Sequence, residues 1–328
     1  MRTDRILVAG ETLVDLFPSG PGDLATVDGF VYRAGGAPAN VATGLARLDS
    51  PPEFWTRLGD DAFGAYLRDV LADHGLDGEF VVTGDAATAL AVVSPTPDGD
   101  RSFTFYEADT ATLAFETGTV PDSTLPRFDC VHVGGVALTN DAGRDATLDL
   151  LERARDANCL VSLDPNTRPD LWDDPEAAGD AIRDALALVD LLFCSPDDLR
   201  PLGLGERARS DPEAAAAELL DYGPETVFLT RGGDGATVVA DLLDGERVTR
   251  SEPAFDVDVV DTTGAGDAFT AGALAAYEPG MNADALDDVL RYANATAALT
   301  TTETGGTTAL PDDAAVRALL AGRASEST

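Results

Sequence analysis

The chain reads as an α/β protein: a three-layer αβα sandwich on a mainly parallel sheet, with a small separate β-sheet as a lid. Three observations carry that expectation. Short apolar runs alternate with helix-period segments, two segments break the rhythm with turn-linked strands, and 328 residues at 44% hydrophobic content can bury one large core.

Strands are expected near Arg5 to Ala9, Glu53 to Leu58, Asp129 to Val133, Cys159 to Leu163, Leu191 to Cys194 and Thr226 to Thr230. Between them, Ala142 to Ala157 sets Leu150, Ala154 and Ala157 on one helical face. From Asp284 to about Thr300, the positions of Leu286, Val289, Leu290, Ala293 and Ala297 follow the helical period. The two exceptions are Asp15 to Gly35 and Thr88 to Tyr106. In the second, TALAVVSP and RSFTFY flank a turn at Thr96 to Asp100. The expected organisation is one domain over 1–328, its lid formed by about 12–35 and 87–110 inserted in the α/β core. No internal repeat interrupts it, and the small, polar tail after Arg323 reads as frayed.

Charge narrows the partners. With 59 acidic residues against 22 basic ones the formal net charge is -37, and lysine is absent. Such a surface repels polyanions, so neither nucleic acid nor an anionic membrane is an expected partner. Molar salt screens carboxylate repulsion over a few ångströms, which predicts a halophile's cytoplasmic protein that needs salt to fold. The start of the chain has neither the length nor the order of a signal peptide, and no apolar run is long enough for a membrane span.

The missing lysine also filters mechanisms. A P-loop, a protein-kinase active site and Schiff-base chemistry each require one. Cys130, Cys159 and Cys194 lack the spacing of a zinc site or disulfide framework and read as buried thiols. His74 and His132, the only histidines, leave little material for a Ser-His-Asp triad or an imidazole metal centre, and no GxSxG elbow is present.

What remains is phosphate chemistry at DTTGAGDAF, from Asp261 to Phe269. The stretch Val257 to Val260 reads as a strand, and Gly264-Ala265-Gly266 leads into a helix starting near Asp267. A glycine turn at a helix N-terminus presents free N–H groups and a partial positive charge to an anion. Taken alone, a carboxylate in that first turn reads equally well as a helix cap.

This stretch resembles the second signature of the ribokinase-like (PfkB) carbohydrate kinase family, which ends in the same GAGD. The resemblance implies that Asp267 is the catalytic base and that the amides of Gly264, Ala265 and Gly266 stabilise the transferring phosphoryl group. A second match, GGAPANVA from Gly35 and RLGDDAFG from Arg57, is similar to the family's first signature. It implies a lid hinge at Gly35 and Gly36 and a sugar contact at Asn40. The similarity runs from Gly10-Glu11 to Gly305-Gly306. By the same resemblance Asp15 accepts bonds from sugar hydroxyls, Thr230, Gly232 and Gly235 form a nucleotide loop, and Asn294 lies near the adenine. ATP and Mg2+ are the implied cofactors. Where the family carries NxxE this chain has Ser195-Pro196-Asp197-Asp198, so Asp198 keeps a carboxylate to hold Mg2+ through water and Ser195 departs from the pattern. Asp261 and Thr263 match positions that bind a monovalent cation in K+-activated relatives.

Asp164-Pro165-Asn166-Thr167-Arg168 with Leu171-Trp172 looks like the DPNxR…LW stretch of fructokinases and of 2-keto-3-deoxygluconate kinases. This adds Tyr106, Asn166 and Arg168 to the expected sugar contacts. Glu107 stands where sugar-acid kinases carry an arginine, which favours a neutral ketose. The expected reaction is transfer of the γ-phosphoryl group of ATP to a hydroxyl of fructose. The alternatives are a kinase for 2-keto-3-deoxygluconate or another sugar or nucleoside, and a non-catalytic sugar sensor on the same fold. A homodimer formed through the lid is expected by analogy.

Overall fold

The computed structural model describes residues 5–20, 24, 26–95, 101–172 and 174–326. In chain order its elements are β1 (Ile6–Ala9), β2 (Leu13–Pro18), β3 (Phe30–Gly35), α1 (Ala37–Arg47), β4 (Glu53–Gly59), α2 (Ala62–Asp73), β5 (Val81–Gly84), β6 (Leu90–Pro95), β7 (Arg101–Tyr106), β8 (Cys130–Gly134), α3 (Asp141–Asp156), β9 (Leu160–Asp164), α4 (Pro175–Leu186), β10 (Leu191–Cys194), α5 (Gly205–Ser210), α6 (Pro212–Leu219), β11 (Thr226–Thr230), β12 (Ala236–Asp241), β13 (Arg247–Glu252), α7 (Ala265–Ala276), α8 (Ala283–Thr300), α9 (Gly306–Ala309) and α10 (Asp313–Glu326).

Nine strands form the main sheet in the order β13-β12-β11-β10-β9-β8-β1-β4-β5. Every pair from β5 to β11 is parallel, because the connections run through helices or long crossovers that return the chain to the same edge. The last two pairs, β11 with β12 and β12 with β13, are antiparallel. A tight turn at Arg231 to Gly235, closed by the Arg231 N–H donating to the Gly235 carbonyl at 2.7 Å, can join only antiparallel neighbours.

The pleat divides the apolar residues between two cores. Leu7, Val131, Val161, Leu192 and Val227 point to one face, where they pack with Leu150 of α3, Leu186 of α4 and Leu219 of α6. Ile6, Val8, Cys130, Leu191 and Phe228 point to the other, against Leu45 of α1, Leu67 of α2, Leu274 of α7 and Leu290 of α8. These two cores make the three layers. All three cysteines are free and buried. Among the described residues, no helix is long and apolar enough to cross a membrane.

A second sheet of four strands, β3-β2-β6-β7, stands apart. Antiparallel pairs flank a parallel β2 and β6 pair, over a small core of Leu13, Ala89 and Ala91 covered by Phe103 and Phe105. The expected turn at Thr96 to Asp100 lies outside the described residues.

Three expectations are corrected. Val257 to Val260 is not a strand: the Val260 and Asp261 N–H groups donate to the Thr301 carbonyl at the end of α8 instead of a ladder, and Val259 and Val260 are exposed. The main sheet does not end at the strand expected at Thr226 to Thr230: β12 and β13 extend it, the first joined to β11 through the turn at Arg231 to Gly235. The chain beyond Arg323 stays helical to Glu326.

Candidate active site

Carboxyl ends of parallel strands open together on one edge of the sheet, where open α/β sheets form their crevices. Here the exits of β1, β9, β10 and β11 meet the N-termini of α1 and α7 around a cavity of about 460 Å³. Of the residues expected from sequence, Asp15, Gly36, Asn40, Asn166, Arg168, Asp198, Thr230, Thr263, Gly264, Gly266 and Asp267 line it.

Helix α7 begins at Ala265, two residues before the expected start, so Ala265, Gly266 and Asp267 form its first turn. Gly264 precedes it with φ at 78°, a left-handed conformation that glycine adopts without penalty, and a Cβ there would come within 2.8 Å of the Gly306 Cα. No side chain caps the helix. Gly264 and Gly266 line the cavity, so this open helix end and its dipole offer a site for an anion, while the Ala265 N–H also reaches the Thr262 carbonyl at 3.2 Å.

Asp267 does not cap this helix. Its Oδ2 instead accepts a hydrogen bond from Asn40 Nδ2 of α1 at 2.7 Å. Asn40 Oδ1 in turn accepts from Thr307 Oγ1 at 2.8 Å, and that hydroxyl also lies 2.9 Å from the Ala34 carbonyl of β3. Burial pushes the Asp267 carboxyl up to about 6, against the pull of the Asn40 bond and the Arg168 charge, with Asp198 adding to the rise. A carboxylate poised just below neutrality suits a general base.

Asp15, on β2, is pushed up to about 7 by burial and by the Asp267 charge, with Arg168 opposing. Gly35 ends β3 beside it, and a Cβ at that position would collide with the Asp15 carboxylate. Gly36, at φ 103°, passes so close to the Glu11 carbonyl that a side chain has no room. The glycine pair thus serves close approach between β2, β3 and the start of α1.

Asp164, at the end of β9, opens the DPNTR stretch and joins the site although only Asn166 and Arg168 of that stretch were expected there. Burial and its neighbours Asp198 and Asp267 raise its carboxyl well above the usual carboxylate range. Its Oδ1 accepts from the Asn166 N–H at 3.1 Å, an arrangement that places Asn166 at φ 44°. Asp198 accepts from the Thr167 N–H on Oδ1 and from both the Ser195 N–H and Oγ on Oδ2, at 2.8, 2.8 and 2.6 Å. Ser195 therefore anchors the carboxylate where the family pattern has asparagine. Asp164 and Asp198 offer hard oxygen donors that repel each other, which fits a divalent cation between them and a phosphate. No group of three metal-ligating side chains exists among the described residues, so an ion held by these two carboxylates would draw its other ligands from water and phosphate.

Asp261 is buried, accepting from the Thr263 N–H on Oδ1 (2.9 Å) and from the Gly305 N–H on Oδ2 (2.8 Å). It thereby ties the phosphate turn to the segment that carries Thr307.

Other expected residues lie off the cavity. Tyr106 is 61% exposed and points away from it; strand alternation along β7 sends Phe103, Phe105 and then Glu107 inward. The expectation that Tyr106 meets the sugar is corrected accordingly. Gly232 and Gly235 belong to the turn between β11 and β12. Asn294 of α8 donates to the Glu252 carbonyl at 3.2 Å and so holds the chain leaving β13. Ala265 is in the first turn of α7 without lining the cavity. Sequence reasoning missed the inward pair Phe103 and Phe105, which period-two alternation within RSFTFY could have found, and Thr307, for which no sequence signal exists.

The model of the pfkB family carbohydrate kinases matches residues 3–313. The chain is 37% identical over 314 residues to a fructokinase of Klebsiella pneumoniae, covering 94% of this chain and 96% of that one. A fructokinase from Xylella fastidiosa solved with bound ATP superposes with a TM-score of 0.86 at 29% identity, covering 98% of this chain and 99% of that one. A fructokinase double mutant from Vibrio cholerae O395, solved with fructose, ADP and potassium ion, superposes with a TM-score of 0.83 at 29% identity, covering 97% and 99%.

Proposed function

The chain belongs to the pfkB family of carbohydrate kinases, and we propose that it is a fructokinase, transferring the γ-phosphoryl group of ATP to a hydroxyl of fructose. One observation carries the chemistry: a carboxylate poised near neutrality sits in the first turn of a helix whose open N-terminus faces the same cavity.

In this reading the hydroxyl lies against Asp267, which accepts its proton as the oxygen attacks in line, a contribution of about 10² to 10⁴ in rate. The N–H groups of Gly264, Ala265 and Gly266 take up charge on the transferring group, each donor being worth roughly 10² or more. Asp15, Asn166 and Arg168 hold the sugar. Thr230, Gly232 and Gly235 border the nucleotide, with Asn294 supporting that border through Glu252. When bound beside Asp198 and Asp164, Mg2+ neutralises phosphate charge. Asp261 and Thr263 set the floor of the phosphate turn, where a monovalent cation such as K+ fits their oxygens. The four-stranded sheet over 12–35 and 87–110 acts as a lid that excludes water from the reacting phosphoryl group.

Three features support the remaining assignments. The buried, unpaired thiols and the use of ATP fit a cytoplasmic enzyme. Phe30, Val31 and Tyr32 on the edge strand β3 are 44%, 48% and 52% exposed, and a second copy covering them makes a homodimer through the small sheets. The acidic surface disfavours nucleic acid and membrane partners.

The test is a coupled ADP-release assay in molar potassium chloride over ketoses, aldoses, sugar acids and nucleosides. Highest kcat/KM on fructose supports the reading; ATP use on a sugar acid or nucleoside alone overturns it.

A further inference from the structure

Two glutamates in the cavity play no part in the chemistry above. Glu11 and Glu107 are 3% and 4% exposed, and both line the cavity. Glu11 Oε1 accepts from the Ala37 N–H at 3.1 Å, but Oε2 has no partner, nor has either oxygen of Glu107. Asn166, 7% exposed, leaves Oδ1 unpartnered as well. Arg168 is the nearest cation, yet among the described residues it forms no ion pair, its Nη1 donating to the Thr167 carbonyl at 3.3 Å.

Four buried acceptors without donors are costly, and a fold keeps such a cluster where a ligand supplies the missing hydrogens. Position reinforces the point. Glu107 follows Phe103 and Phe105 on the inward face of β7, and Thr110 donates to its carbonyl from both N and Oγ1, which fixes the turn behind it. Two aromatic rings followed by a ring of acceptors match a molecule with C–H faces and several hydroxyls.

We infer that Glu107, backed by Glu11 and Asn166, is the specificity-determining group of the acceptor site: its buried carboxyl bonds the hydroxyls of a neutral polyol, and an acceptor that places a carboxylate or phosphate there forfeits those bonds and sets a second acidic group against it. The inference rests on the sugar-kinase reading and adds a reason for the class of sugar. Burial also raises Glu11 to about 8 and Glu107 to about 7, so near neutrality Glu11 is mostly protonated and Glu107 is divided between its two forms; either form bonds a hydroxyl.

Kinetics of Glu107→Leu and Glu107→Gln on fructose and on a six-carbon 2-keto sugar acid test this, alongside calorimetric titration of fructose without ATP. Glu107→Leu should raise the fructose KM about tenfold or more, weaken calorimetric binding to match, and leave kcat within a few-fold. Preference for the neutral sugar over the acid should narrow about tenfold or more. Thermal stability should hold or rise, since two buried oxygens without partners have gone, whereas a structural role predicts a loss. If the Leu variant does not fold, the isosteric Gln variant decides: it should still raise the KM and narrow the preference. Folded variants that keep the fructose KM and the preference overturn the inference alone. A wild-type chain that phosphorylates no neutral sugar overturns the reading beneath it.

Discussion

Asn40 Nδ2 lies 2.7 Å from Asp267 Oδ2, a bond between the first turns of α1 and α7 that joins the two signature segments of the chain. A carboxylate cannot donate, so the amide must present its NH2 to Asp267 and its oxygen to the Thr307 hydroxyl. The bond favours the charged form of Asp267 and aims it into the cavity. Asp267→Asn should lower kcat by about 10² to 10⁴ while ATP and sugar still bind, as measured by ADP release and calorimetry. Near wild-type turnover in a folded variant would remove Asp267 from the mechanism.

Acid inactivation should follow the same group. Protonating Asp267 removes the base, so kcat should fall as pH drops through about 6. Asn40→Leu removes a bond to the ionised form, which raises the carboxyl further; the acid limb should move to higher pH. An unmoved limb would mean that another group sets it.

Thr307 should act through Asn40 without touching the reacting atoms. Thr307→Val keeps the shape and removes the hydroxyl, so kcat should drop a few-fold with the acid limb shifting in the same direction as in Asn40→Leu. Thr307→Ser should restore both. A plain packing role predicts lower melting temperature with no change in the pH profile, and differential scanning fluorimetry with pH-rate curves separates the two.

Stability of the ligand-free protein should decline as pH rises from about 5 to about 8. Glu11 is raised by burial from 4.5 to about 8, so the folded state binds its proton more tightly than the unfolded one. That contribution is complete below the unfolded value and disappears as pH climbs through the folded one. Glu11→Gln can keep an acceptor for the Ala37 N–H and should flatten the decline, stabilising more at pH 8 than at pH 5 by a few degrees of melting temperature. Equal melting shifts at both pH values would show that Glu11 is ionised in the folded state.

Salt should stabilise the fold through screening, because the net charge is -37. The melting temperature should rise steadily between dilute and molar potassium chloride; a flat response would contradict a salt-dependent fold. At matched ionic strength, faster turnover in potassium than in sodium or choline salts is the expected sign of a cation beside Asp261 and Thr263. Equal rates in all three would exclude it.

Much of this molecule was legible in one dimension because its signals are local. Apolar runs such as Leu191 to Cys194 pair only as buried strands, the spacing of Leu286, Val289, Leu290 and Ala293 turns one face inward, and Gly264-Ala265-Gly266 before an acidic residue marks a helix N-terminus that can take an anion. The two signatures by themselves point to a sugar kinase. Tertiary structure decided what depends on contacts between distant segments. Whether Asp267 caps its helix or serves the cavity turned on Asn40, 227 positions away. That Tyr106 faces outward while Glu107 faces inward followed from how β7 lies against β6, since pairing sets which side of a pleat is buried. Thr307 could be assigned only once the chain had brought it against Asn40, for a lone hydroxyl takes its role from the partner within reach of its single proton.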